Sequence, residues 1–185
     1  MEKASEDKRK KNAFRRINWG YIGFFIILLL IFLFKKKLFF LALFIFLNWF
    51  ILYMKLGLGI DSPVEVITFG TFMAGYVYGP AEGLIISGSS LIAISVTGRI
   101  KFDKIVINFI LFIIAFVAQY LRFMNVALAG ILILLLRYIL DFSFNLLVLQ
   151  DSAYVRKIPD RLINFLFWFL FYTSFGSAIA DLMKV

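Results

Sequence analysis

The 185-residue chain contains no Cys and no His, and only three Pro. Without Cys there is no disulfide, thiolate nucleophile, iron–sulfur site or Cys-ligated zinc. Without His there is no imidazole base, no His-ligated haem and no HExxH metalloprotease site. Carboxylate, Lys, Ser and Tyr chemistry is left, but no paired-Asp motif or Gly-rich phosphate loop accompanies it. Asp61, Glu65, Glu82 and Asp141 show no catalytic spacing. The expectation is therefore a protein that is not an enzyme and uses no cofactor or metal. Charge is also scarce: 17% of residues are charged, whereas 63% are hydrophobic and 24 are Phe. A soluble domain runs nearer half apolar, so the excess calls for a solvent other than water.

What charge there is gathers in a tail and a few short clusters. Residues 1–16 hold seven Lys/Arg against three acids and read as a basic, disordered cytoplasmic tail. Apolar runs follow at about 17–34, 38–54, 63–79, 81–98, 105–121, 124–149 and 162–183. Several approach or reach the roughly 17–25 residues a helix needs to cross hydrocarbon. Lys35, Lys36 and Lys37 follow the first run instead of a small-residue cleavage site, so it reads as retained. The chain is expected to be all-α, a polytopic membrane bundle of six or seven transmembrane helices forming one domain over 17–185. The run 17–34 is an extra N-terminal hydrophobic element and 38–183 a six-helix core.

Counting Lys and Arg orients the chain. If all seven runs cross, fourteen basic residues lie on one side and five on the other, placing the N-terminus inside and the C-terminus outside. If the first run does not cross, the count is twelve against seven with both termini inside. Both arrangements give a multi-pass protein of the cell membrane with a cytoplasmic N-terminus. Nucleic acid is not an expected partner.

Three features stand out within the runs. Thr71, Gly75, Gly79, Gly83 and Ser87 recur every four positions, and small residues let helices approach closely in lipid. Gly79-Pro80 interrupts that series, so the spacing predicts two helices joined by a tight turn at Tyr78–Ala81. Glu82 then sits at the positive end of the second helix. Asp61-Ser62-Pro63 reads as a helix start.

Arg137, Asp141 and Asn145 are spaced i, i+4, i+8 and project from one helix face. An Arg in mid-membrane costs about 2.5–3.5 kcal/mol on insertion scales, so it points into the bundle, either in an ion-paired staple or in a polar pocket. Asn164, Trp168 and Tyr172 share the same spacing, and Asn108 and Gln119 fall on one face of the run 105–121. Three helices with polar stripes suit one substrate pocket. In it Arg137 would meet an anion, Trp168 would stack on a flat ring, and Asn164 and Tyr172 would hydrogen-bond. Interhelical bonding and aromatic packing would use the same residues.

The stretch LGLGIDSPVEVITFGTFMAGYVYGPAEGLIISGSSLIAISVTGRI, residues 56–100, resembles the substrate-binding S components of energy-coupling-factor vitamin transporters. Asp61–Glu65 stands where that family has a polar loop, Gly79-Pro80 where it has a Gly-Pro turn, and Gly83 in the helix that follows. The resemblance implies an S-component-like core that holds a vitamin or similar micronutrient between its last three helices. A separate coupling subunit and ATPases would supply the energy. The alternative is a non-catalytic structural or accessory subunit of a larger membrane complex.

Overall fold

Apolar and small side chains occupy the whole circumference of residues 66–77, and a helix apolar all round has to be enclosed by others. The computed structural model encloses it. The structure describes residues 35–57, 65–96, 102–148 and 158–184, together with Gly23, Ile26 and Ile27. The basic tail, most of the run 17–34, the segment Asp61-Ser62-Pro63, and Arg99 and Lys101 lie outside the described residues. Among the described residues the chain is all-helical. Its helices are α1 (Lys36–Gly57), α2 (Val66–Val77), α3 (Pro80–Val96), α4 (Phe102–Tyr120), α5 (Val126–Ser143) and α6 (Ile158–Met183), with a π-helical turn at Phe144–Val148. The short α2 packs against each of the other five helices and is buried from Ile67 to Tyr76. Three segments, Lys36–Met54, Val126–Val148 and Ile158–Met183, are long and apolar enough to cross a membrane, which makes this a membrane protein.

Small residues bring the helices together. A Cβ on Gly75 of α2 would lie 2.9 Å from the Ala115 carbonyl oxygen of α4, and one on Gly83 of α3 would lie 2.8 Å from the Ala115 Cβ. One position on α4 thus receives a glycine from each of two neighbours. Ser87 is buried and returns its hydroxyl to the Gly83 carbonyl at 3.1 Å. Gly79 belongs to the turn between α2 and α3, where its φ of 135° suits a residue without a side chain. The helices start and stop around Gly79-Pro80 as the sequence predicts, with Glu82 in the first turn of α3.

One end of the bundle is pinned by polar contacts. Arg122 Nε donates to the Tyr76 carbonyl at 2.6 Å, placing a cation at the negative end of α2. Tyr76 Oη donates to the Met124 carbonyl at 2.7 Å, and Tyr78 Oη to the Met183 carbonyl at 3.0 Å. Lys37 forms an ion pair with Glu82, joining the start of α1 to the start of α3. At the opposite end α2 begins at Val66 with Glu65 in the cap position, in extended conformation.

Candidate functional site

Arg137, Asp141 and Asn145 are all buried on the inner face of α5 and its π-helical extension. Arg137 is 1% exposed. A guanidinium so enclosed needs a counter-charge, because a buried unpaired charge costs several kcal/mol. Arg137 Nη2 pairs with Glu65 Oε2, immediately ahead of α2. The other Glu65 oxygen accepts from Arg161 Nη1 of α6 at 2.6 Å. Arg161 Nη2 lies 3.5 Å from Asp141 Oδ2, closing a chain of two guanidiniums and two carboxylates. Asn145 Nδ2 donates to Asp141 Oδ1 at 3.0 Å and to the Asp141 carbonyl at 2.8 Å.

Asn164 joins the same cluster. Its Oδ1 accepts from the Glu65 backbone N–H at 3.2 Å, and its Nδ2 donates to Tyr138 Oη at 2.6 Å. The Arg137 guanidinium stands 5.1 Å from the Tyr138 ring centroid. Three segments of chain therefore meet here: the start of α2, the inner face of α5 and the first turns of α6.

One and two turns further along α6 the site becomes aromatic. Trp168 is buried with its ring stacked on Phe69 of α2, centroids 4.7 Å apart and planes at 12°. That face is occupied within the protein, so stacking a ligand there, as expected from the sequence, would displace Phe69; the indole edge carries the N–H. Tyr172 packs edge-on against Phe72 at 5.4 Å. Its ring also fills the notch left by Gly130 of α5, where a Cβ would lie 2.5 Å from the ring. Arg137 Nη1, Trp168 Nε1 and Tyr172 Oη have no hydrogen-bond partner among the described residues.

The two residues of the third expected stripe differ in their surroundings. Asn108 is buried on α4, and its Nδ2 donates to the Lys104 carbonyl of its own helix at 2.9 Å. Gln119 is exposed near the far end of α4. The start of α4 stands beside the cluster through Lys104, whose charge favours the Glu65 carboxylate. Glu65, Arg161 and Tyr138 were not among the candidates from the sequence. Arg161 had a signal, since it precedes Asn164 by three residues and shares its face. Glu65 had only its place in the polar segment Asp61–Glu65, and nothing in the spacing pointed to its partners on other helices.

Behind the cluster, on the outer side of α5 and α6, runs a groove of about 430 Å³. Its walls include Leu135, Ile139, Phe142 and Leu162, and Tyr138 and Arg161 line it from the cluster side. Among the described residues no group of His, Cys, Asp and Glu is arranged to hold a metal ion. The chain matches no protein-family model, no curated protein and no solved structure.

Proposed function

We propose that this chain is a multi-pass, membrane-embedded binding subunit of a small-molecule transporter, with its site between the start of α2, the inner face of α5 and α6. The reading rests on one observation. The charged and amide side chains of Glu65, Arg137, Asp141, Arg161 and Asn164 meet between helices near one end of the bundle, with Arg137, Asp141 and Asn164 buried, beside three buried donors without partners among the described residues. Polar groups are expensive in a membrane interior, and where they gather they commonly line a substrate pathway or binding site. Binding alone needs no catalytic residue. Energy would come from separate subunits, a membrane coupling protein and an ATPase pair, as the resemblance of residues 56–100 to S components suggests. The N-terminus would be cytoplasmic, and a vitamin or similar micronutrient would be the cargo.

The test is purification of the full chain in mild detergent, followed by mass spectrometry of the proteins and small molecules that accompany it. A stoichiometric small molecule, or an ATPase pair with a membrane coupling subunit, is the expected result. Recovery with unrelated membrane proteins and no small molecule would overturn the proposal in favour of an accessory subunit. For that role the closed ion-pair chain would serve as an interhelical staple.

A further inference from the structure

The groove on the outer side of α5 and α6 has a direction. Asn164 bonds Tyr138 at one level, and the Tyr172 ring sits over Gly130 at another, so the two helices run antiparallel. Leu135 therefore lies near the level of Phe165, and Phe142 near the first residues of α6. Each wall extends for about 10 Å at 1.5 Å per residue. The groove starts at Ile158, where α6 begins, and follows the helices toward their middle. Both helices belong to segments long and apolar enough to cross a membrane. Half of a hydrocarbon core about 30 Å thick is a comparable depth, so the groove fits within one leaflet.

Its surface is almost wholly carbon. Leu135, Ile139, Phe142 and Leu162 are exposed along it. The two residues with polar side-chain atoms turn those atoms inward. Arg161 Nη1 donates to Glu65 and Nη2 faces Asp141, while Tyr138 Oη accepts from Asn164. Lys104, whose charge also favours the Glu65 carboxylate, is not among the wall residues. No charge therefore faces an occupant, which meets hydrocarbon and aromatic rings.

A membrane supplies two apolar occupants, a helix of another protein copy or subunit and a lipid chain. Helices associate in lipid through small residues that let backbones approach and through interhelical hydrogen bonds. This groove has no Gly, Ala, Ser or Thr in its walls, and its polar atoms bond within the bundle. Gly75, Gly83 and Gly130 serve contacts inside the protein. A flexible hydrocarbon chain needs no such small-residue face to fill a channel between bulky side chains. We infer that the groove binds one acyl chain of a membrane phospholipid, which lies along α5 and α6 within one leaflet. The bound acyl chain closes the outer side of the Arg161–Glu65–Asp141 cluster to water. This site is independent of whether the protein carries a cargo.

The test uses the full protein in phosphatidylcholine vesicles that include a phosphatidylcholine with a photoactivatable diazirine midway along one acyl chain. After illumination, mass spectrometry of the peptides locates the labelled residues. Ile139 and Leu162 line the groove and are 61% and 56% exposed; Leu128 and Phe175, in the other halves of the same helices, are 57% and 56% exposed. Lipid that merely surrounds the protein should label the four equally. A bound acyl chain is expected to label Ile139 and Leu162 several-fold more than Leu128 and Phe175. Ile139→Trp fills the groove from an exposed position and should bring Leu162 down to the level of the controls. Unchanged labelling of Leu128 and Phe175 in that variant would show that the fold is kept. Equal labelling of all four residues, or Leu162 labelling that survives Ile139→Trp, overturns the inference. Weaker labelling in the groove than at the controls also overturns it, and would mean that a second copy or another subunit covers this face.

Discussion

Glu65, the residue before α2, and Arg137, about two-thirds of the way along α5, form an ion pair across the bundle although 72 positions separate them in the chain. Arg161 of α6 takes the second oxygen of the same carboxylate. A single carboxylate therefore holds three segments of the molecule together.

Removing that carboxylate leaves Arg137 buried without its counter-charge. Glu65→Gln is expected to lower stability by about 3 kcal/mol, the cost of breaking a buried pair by removing one partner. Glu65→Gln combined with Arg137→Met should lose clearly less than the two single changes added together, because the pair is removed as a unit. Unfolding of the purified variants in detergent measures both. Additive losses would mean that the two residues are not coupled.

Gly130 faces the Tyr172 ring with no room for a methyl group. Gly130→Ala is expected to destabilise by about 1–3 kcal/mol through overpacking. Gly88 of α3, where a Cβ would meet nothing within 4 Å, provides the control. Gly88→Ala should be neutral or slightly stabilising, since Ala is the better helix former. Equal behaviour of the two variants in thermal unfolding would contradict the contact between Gly130 and Tyr172.

The turn between α2 and α3 rests on the backbone of Gly79, whose φ of 135° lies in a region that side chains rarely tolerate. Gly79→Ala should cost about 1–3 kcal/mol in strain. Loss of the Arg122 cap at the end of α2 should be milder, about 1 kcal/mol for Arg122→Gln. A Gly79→Ala variant that melts with the parent protein would rule out a strained turn.

The absence of Cys permits a direct test of α6 as a span. Ile158→Cys and Lys184→Cys place one thiol at each end of that helix, 26 residues apart, counting Ile158 through Met183. In intact membranes a membrane-impermeant maleimide added from one side should label only one of the two. The other should react after the membrane is opened. Labelling of both from the same side would contradict α6 as a transmembrane helix.

Much of the molecule was legible because helical periodicity is local. The break at Gly79-Pro80 and the stripes Arg137–Asp141–Asn145 and Asn164–Trp168–Tyr172 follow from spacing alone, and in the structure these six polar and aromatic residues are all buried. The small residues were readable as close-contact positions, although Gly79 serves the turn, and Gly130 went unnoticed because it stands alone in its helix. Asn108 and Gln119 share a nominal face, but Gln119 is exposed while Ala118 beside it is fully buried against α2. Periodicity says which residues share a side of a helix, not which of them a neighbouring helix covers.

By itself the sequence determined the medium and the local geometry. Composition called for lipid, run lengths called for helices, and the 3.6-residue repeat sorted side chains into faces. Tertiary structure alone decided the partners. Arg137 pairs with Glu65 across the bundle, the start of α2 joins the polar cluster of α5 and α6, and Trp168 is stacked on Phe69. The physical reason is that a face is set by bonds along one chain segment. A charge pair forms wherever the packing of separate helices brings opposite charges together, and that packing depends on where small residues such as Gly75, Gly83 and Gly130 allow close approach.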